Sequence, residues 1–321
     1  MTDLALKETD LYARAYAAVD AGELEAALPL FGRLAEAEPD NPAFQYMLGL
    51  VHKYRFEWTQ SLACNLRALA LFEGPDEATL WNAGIAATGL GHWSQARQCW
   101  EQAGIRIAPG TGPVLGNFGR ACVRLNAWDE GETLWAIRLD PCRARIENVP
   151  YPESGYRFGD VVLHDGASTG RRESHGRTYP VLNVFQRLER SPFDTFEVEL
   201  TCPAPEDIEE LLRMQRPGIG LAEDWTSSVR ALCRQCSLGI AHDHHDQDED
   251  QPRWNPERHL GLAAQAHSSA ERLLRDWAAA GPGRKLESIT RSAHEPGPPA
   301  DGFAWWRGAD EDEEEEHADQ A

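Results

Sequence analysis

The sequence predicts a chain in two parts: an array of helical repeats in the first half and a small α+β domain in the second. A pattern of small and bulky residues recurs every 34 or 35 residues up to about residue 141. Beyond that point the helical period gives way to short runs that alternate between apolar and polar residues. The length of 321 residues also suits two domains.

Three sets of anchor residues define the repeat. The first set is small, the second lies twelve residues later and is also small, and the third lies four residues further on and is mostly bulky. The sets are Ala15, Gly49, Gly84 and Gly119; Ala27, Ser61, Ala96 and Gly131; and Phe31, Asn65, Trp100 and Trp135. This pattern resembles the tetratricopeptide repeat, in which each unit is a helix–turn–helix that buries its apolar face against its neighbours.

The resemblance predicts four units within residues 1–141, starting at about residues 8, 42, 77 and 112. Each unit supplies two antiparallel helices, so residues 8–141 are expected to form about eight helices in a right-handed stack. Gly22 and Gly91 are expected in the turns between paired helices, where a positive φ is useful. Trp100 and Trp135 are expected to be buried between the second helices of adjacent layers.

The resemblance also implies a groove lined by the first helix of each unit. Its predicted lining is Tyr12, Tyr16, Tyr46, Leu50, Lys53, Tyr54, Trp81, Asn82, Ile85, Asn117, Arg120 and Arg124. In this family an asparagine at the position of Asn82 and Asn117 often contacts the backbone of a bound peptide, and Arg120 would then pair with an acidic side chain. The alternative is that Tyr12, Tyr46 and Trp81 pack on the adjoining domain, and the sequence leaves both interpretations open.

Residues 142–156 are predicted to be an extended linker, because each proline there disfavours a helical conformation of the residue before it. Residues 157–292 are predicted to be an α+β domain, with a β-hairpin from residues 159–164 and 179–188. A strand–helix–strand pattern then occurs twice between residues 195 and 290, which favours a ferredoxin-like sandwich. His164 and Asp165 are interpreted as the end of a strand and the start of an Asp-Gly turn.

A zinc knuckle is the strongest candidate for chemistry. Cys233 and Cys236 have the spacing that offers two thiolates to a metal, and a nearby histidine cluster of His242, His244 and His245 could complete a tetrahedral site. Solvated histidines in an acidic loop are the alternative. If the zinc is catalytic, the protein is an enzyme with its active site in residues 157–292.

Charge and composition limit the other functions. The net charge of −21 repels nucleic acids, so binding of nucleic acid through Arg171, Arg172, His175 and Arg177 is the weakest hypothesis. No run approaches the roughly 20 apolar residues of a membrane span, and the cysteine usage fits a reducing cytoplasm. Residues 293–321, rich in proline and glycine and then in acidic residues, are expected to be a disordered tail.

The function that the sequence favours is a cytoplasmic interaction or scaffold protein. It would bind a partner peptide or protein through the groove of the repeats, with zinc as a structural cofactor of the second domain. The zinc-dependent enzyme and the nucleic-acid-binding protein are the alternatives.

Overall fold

The computed structural model describes residues 3–128, 131–226 and 254–299, with side chains described from Asp10 onward in the first range. Six helices come first: α1 Asp3–Asp20, α2 Leu24–Ala37, α3 Pro42–Tyr54, α4 Trp58–Leu71, α5 Glu77–Gly89 and α6 Trp93–Gln102. Each helix packs on the next one in sequence. They form three tetratricopeptide-like hairpins, which confirms the predicted repeat for residues 3–102.

The contacts between anchor residues explain the repeat. A Cβ added to Gly84 would lie 2.4 Å from the Trp100 ring, and one added to Gly49 would lie 2.4 Å from the Asn65 amide. In the first hairpin Ala15 and Phe31 are both fully buried. A small residue on the first helix thus admits a larger one from the second, and Trp100 is buried as predicted.

The turn within each hairpin needs a left-handed residue. Gly22 has φ +70° and Gly91 has φ +69°, as the sequence predicts. The equivalent residue of the second hairpin is Phe56, with φ +57°. Its ring packs edge-to-face on Trp58 and Phe185, the second of which belongs to the next domain, so tertiary packing holds a conformation that a phenylalanine rarely adopts.

The prediction of a fourth helical unit is wrong. The residues of that unit form strands β1 Arg120–Leu125 and β2 Glu132–Arg138, which pair antiparallel as a β-hairpin. The segment is short and rich in alternating apolar residues, and every second side chain, such as Val123 and Leu134, enters a core. Trp135 lies half-buried on β2 instead of between helices.

This hairpin begins a closed barrel of five strands, completed by β3 Arg143–Ile146, β4 Val161–Ser174 and β5 Arg177–Glu189. The strands follow one another in sequence order around the barrel, and β5 closes it by pairing parallel to β1. A parallel closure follows because strands one and five of a meander run in the same direction. Residues 142–156 are therefore not a free linker, since they contain β3 and a turn of 3-10 helix at Pro152–Ser154.

The third part of the chain is an α+β layer. It contains β6 Asp194–Thr201, α7 Pro205–Arg213, β7 Ile219–Asp224, β8 Glu257–Ala264, α8 His267–Ala280 and β9 Lys285–Arg291. The sheet order is β7-β8-β6-β9 with antiparallel neighbours, and Phe196, Val198 and Leu200 pack with Trp277 of α8 in one core. The predicted domain of residues 157–292 is thus two units, a barrel and a sheet. The chain is α+β overall.

The described part of the predicted tail lies against the barrel. Glu295 accepts hydrogen bonds from Arg157 and Arg187, and Pro299 is buried. Disorder is therefore the wrong description for residues 293–299, and residues 300–321 lie outside the described residues. Among the described helices, none is both long enough and apolar enough to cross a membrane.

Candidate functional site at the junction of helices and barrel

A cleft of about 720 Å³ opens where the helical repeats meet the barrel. Helix α3 forms one wall and the N-terminal half of α5 forms the other. Residues 165–167 of β4 close the back. The lining residues are Tyr46, Leu50, Lys53, Tyr54, Asp76, Glu77, Ala78, Trp81, Asn82, Ile85, Asp165, Gly166 and Ala167.

Helical periodicity aligns the two walls. Tyr46, Leu50, Lys53 and Tyr54 are spaced at four, seven and eight residues along α3, which places them on one face. Residues 78, 81, 82 and 85 are spaced at three, four and seven residues along α5, so they also share one face. Asp76 caps α5 by accepting a hydrogen bond from the Thr79 amide at 2.8 Å. Asp76 and the exposed Glu77 also line the cleft, so the N-terminus of α5 lies at its mouth.

A buried ion pair forms the floor. Lys53 Nζ lies 3.0 Å from Asp165 Oδ1 and 3.1 Å from Asn82 Oδ1, and only 3% of Lys53 is exposed. The Tyr54 hydroxyl donates to Asp165 Oδ2 at 2.7 Å, and the Gly166 amide donates to Asp165 Oδ1 at 2.7 Å. Every oxygen of the carboxylate therefore has partners, which compensates for the cost of burying it.

The pKa shifts follow from this arrangement. Burial by itself raises the pKa of Asp165, but Lys53, the Tyr54 hydroxyl and the Gly166 amide outweigh it and lower the pKa below its usual value. Burial and the neighbouring Asp165 carboxylate raise the pKa of Tyr54 well above the ordinary value. Burial also raises the pKa of Tyr46, although a hydrogen bond from Asn82 opposes the shift. Both tyrosines remain neutral donors at neutral pH.

An irregularity in β4 places Asp165 in contact with helix α3. The pairing of β4 with β5 shifts register between His164 and Ser168, so residues 165–167 leave the regular ladder. Gly166 passes so close to Trp81 that an added Cβ would lie 2.6 Å from its ring. The interpretation of Asp165-Gly166 as a plain turn missed this role.

Beneath the cleft the helices and the barrel share one apolar core. Trp58, Leu80 and Trp100 of the helices pack in the same cluster as Leu163 and Phe185 of the barrel. The Trp58 indole also donates to Gln186 Oε1 at 3.1 Å. The walls of the cleft are thus held by continuous packing, and the cleft is preformed.

The predicted groove residues divide into three groups. Tyr46, Leu50, Lys53, Tyr54, Trp81, Asn82 and Ile85 come together in the cleft. Tyr12 and Tyr16 lie on the first hairpin, with ring centroids 4.5 Å apart, and are not among the cleft residues. Trp81 and Tyr54 contact the barrel at Gly166 and Asp165, so the alternative of packing on the adjoining domain holds for Trp81. Binding of a peptide by these residues stays a prediction.

The last three predicted groove residues belong to the barrel region instead. Asn117 is exposed in the segment before β1, where its side chain accepts a hydrogen bond from the Gly119 amide at 3.0 Å. Arg120 is 44% exposed, pairs with Glu147, and lies over the Trp135 ring. Arg124 is buried and donates to Asn183 and Thr169, and burial lowers its pKa to about 10. Their placement is incompatible with the predicted helical groove, because the fourth unit is a β-hairpin.

Sequence reasoning missed three acidic residues of the cleft: Asp76, Glu77 and Asp165. One signal existed, since Lys53 is one of only three lysines beside 28 arginines in the chain. A lone lysine within a repeat helix invites a search for a buried carboxylate. No local pattern marks Asp165 as its partner, because the two residues are 112 positions apart.

The basic cluster lies at the tip of the β4–β5 hairpin. Arg171 and Arg172 are on β4 and Arg177 is on β5, with His175 in the turn at φ +49°. The Arg172 guanidinium lies 4.9 Å from the Trp135 ring centroid. Part of the cluster is thus engaged in packing on the outside of the barrel.

The predicted zinc ligands Cys233, Cys236, His242, His244 and His245 lie outside the described residues. Within the described ranges, no three histidine, cysteine or acidic side chains are placed to share a metal ion. The zinc site remains a prediction.

No family model and no curated protein matches the sequence. Three solved structures resemble part of the chain: MamA from AMB-1, the first tetratricopeptide domain of Spaghetti (RPAP3) bound to an HSP90 peptide, and the Sgt2 tetratricopeptide domain from Aspergillus fumigatus. Their identities are 18%, 16% and 14%, and their TM-scores are 0.28, 0.29 and 0.28. They cover 29%, 30% and 30% of this chain, which spans 51%, 77% and 64% of theirs. The assignment of the helical hairpins rests on the packing described above.

Proposed function

We propose that this protein is an interaction protein that captures a segment of a partner protein in the cleft between the helices and the barrel. The observation that carries the proposal is a preformed cleft whose walls expose half-buried aromatic side chains, Tyr46, Tyr54 and Trp81. Partly exposed tyrosine and tryptophan supply much of the binding energy in protein interfaces, because they bury a large area and lose little entropy.

The dimensions support a segment as the ligand. A volume of about 720 Å³ accommodates a few side chains and is too small for a folded domain. The walls are fixed by the shared core beneath them, so little conformational entropy is lost when the segment binds.

The barrel has a defined role in this proposal. It supplies the back of the cleft through residues 165–167 and fixes Lys53 and Asn82, so repeats separated from the barrel would lose part of the site. We assign the sheet of β6 to β9 with its two helices to the ferredoxin-like arrangement, on the basis of its strand order and its connectivity. A structural zinc at Cys233 and Cys236 stays part of the proposal, and metal analysis of the wild type and of Cys233→Ser tests it.

To test the proposed function, an arginine side chain is introduced at the rim of the cleft. Ala78 is exposed in the first turn of α5, so Ala78→Arg should fold and should obstruct the cleft. Ala37→Arg, at an exposed position near the end of α2, is the matched control. Full-length proteins carrying each substitution are used as bait in quantitative affinity purification from the cells that express the protein.

The proposal expects at least one protein that the wild type and Ala37→Arg retain equally and that Ala78→Arg loses. If every captured protein is retained by both variants, the cleft is not the interaction surface and the proposal is wrong. Circular dichroism of each bait confirms that the comparison is between folded proteins.

A further inference from the structure

We infer that the cleft recognises a cationic side chain, lysine or arginine, of its partner segment. This inference rests on the proposed function and names the chemistry of the ligand. It is carried by the charges that line the cleft, by its aromatic walls, and by the neutralisation of the single cation at its floor.

Asp76 and Glu77 lie side by side at the mouth of the cleft, Glu77 exposed and Asp76 half-exposed. Asp76 Oδ1 is occupied by the cap of α5, and neither carboxylate forms an ion pair with any described residue. Two acidic groups that face the same opening lower the energy of a cation placed between them.

Among the described residues that line the cleft, Lys53 is the only lysine or arginine. Its ammonium is held by Asp165 and Asn82, and 4% of its side chain is exposed. It therefore offers no free charge to an acidic ligand. The partial positive charge at the N-terminus of α5 is smaller than the two formal charges of Asp76 and Glu77, so an acidic segment would meet net negative charge.

Tyr46 on α3 faces the same space as Trp81 on α5, and Trp81 is supported from behind by Trp100, with ring centroids 5.2 Å apart. Aromatic faces attract lysine and arginine through the ring quadrupole. The Lys53 ammonium already uses this interaction in the floor, where it lies 4.4 Å from the Tyr54 ring centroid. A second cation above it would have carboxylates at the mouth and aromatic faces at the sides.

The experiment selects ligands without assuming a sequence. The full-length wild type is panned against a phage library of random nine-residue peptides, with the Ala78→Arg protein present as a soluble counter-selecting competitor. The dissociation constants of selected synthetic peptides are then measured for the wild type and for Asp76→Asn/Glu77→Gln. Asparagine preserves the helix cap, so this variant removes charge and leaves α5 intact. Glu36→Gln/Glu101→Gln, at two exposed positions on α2 and α6, removes the same charge elsewhere.

The inference expects peptides enriched in lysine or arginine at one position. The variant Asp76→Asn/Glu77→Gln should weaken their binding about tenfold, as should replacement of the selected cation by norleucine, while the control pair should change it less than twofold. Peptides that bind the wild type but not Ala78→Arg and that lack a common cation would overturn the inference and leave the proposed function in place. If no cleft-dependent peptide is selected, both are wrong.

Discussion

The third helical hairpin and the first barrel hairpin carry similar anchor residues at the same spacing, yet one is two helices and the other is two strands. Gly84 and Trp100 of the first have counterparts in Gly119 and Trp135 of the second. Both regions even turn at an equivalent residue with positive φ, Gly91 at +69° and Asn126 at +47°.

The difference lies in what separates the anchors. In the helical hairpin Gly84 and Trp100 touch, because two helices crossing at a small residue bring positions 16 apart together. In the β-hairpin Trp135 pairs across from Cys122, and Gly119 lies just before the start of β1 at Arg120. The spacing of the anchor residues indicates where the chain reverses direction. The period of the apolar residues between the anchors indicates whether the two elements are helices or strands.

The largest test compares the two tryptophans. Trp100→Ala should destabilise the protein by about 3–5 kcal/mol, because a fully buried ring leaves a cavity among helices. Trp135→Ala should cost no more than about 2 kcal/mol, because its ring is half-exposed between Arg120 and Arg172. Urea denaturation followed by circular dichroism gives both values. Equal losses of unfolding free energy would mean that Trp135 contributes as much to stability as Trp100, contrary to this prediction.

The second test compares a buried ion pair at the junction with an exposed one on the barrel. Lys53→Met should cost about 3–5 kcal/mol, because Asp165 would remain buried without its cation. Arg120→Met should cost less than about 1 kcal/mol, because the Arg120–Glu147 pair is solvated. Unfolding free energies from urea titrations at pH 7 give both values.

The pH dependence of Lys53→Met checks the cause. Loss of the cation should raise the folded-state pKa of Asp165 relative to that in the wild type, because Lys53 is the largest influence that lowers it. The penalty is then absent at pH values where Asp165 is protonated in both proteins and grows as pH rises. The variant should therefore approach the wild type in acid. A penalty that does not vary with pH would show that lost packing, not charge, is responsible.

The third test compares the two glycines. Gly84→Ala should cost roughly 1–3 kcal/mol, because its Cβ would overlap the Trp100 ring. Gly119→Ala meets no atom within 4 Å and should cost about 1–2 kcal/mol for its φ of +87° alone. Asparagine tolerates positive φ, so Gly119→Asn should recover stability while Gly84→Asn should lose more. Thermal unfolding of the four variants distinguishes crowding from backbone strain.

The last test concerns a buried histidine of the barrel, His164 on β4. Burial lowers the pKa of His164 to about 4, and its Nδ1 lies 2.7 Å from the Asp165 carbonyl oxygen, to which it donates. A histidine with a lowered folded-state pKa stabilises the fold fully above pH 6.5 and loses that contribution as pH falls towards 4. The loss between pH 8 and pH 5 should be about 2 kcal/mol.

His164→Asn keeps a donor and removes the titration, so its stability should fall less between pH 8 and pH 5 than that of the wild type. His259→Asn, at a half-exposed side chain on β8, is the matched control and should retain the steeper wild-type fall. Identical slopes for the wild type and His164→Asn would rule out His164 as the titrating group.

The sequence by itself determined the elements whose pattern is local. The three helical hairpins follow from small and bulky residues at fixed spacing, and β6, α7, β8, α8 and β9 follow from alternation or amphipathic periodicity. Seven cleft residues on α3 and α5 could also be named, because residues on one face of a helix are fixed by its period. They are Tyr46, Leu50, Lys53, Tyr54, Trp81, Asn82 and Ile85.

Only the tertiary structure decided the rest. The barrel depends on the pairing of β1 with β5, whose paired residues are about 59 positions apart in sequence. The sequence of either strand alone does not indicate that pairing. The same holds for Asp165, which reaches Lys53 only because an irregularity in β4 faces α3. That contact neutralises the lysine, so Asp76 and Glu77 remain as the uncompensated formal charges of the cleft. Periodicity reports the surroundings of each residue along the chain, whereas charge compensation depends on neighbours that the fold brings together.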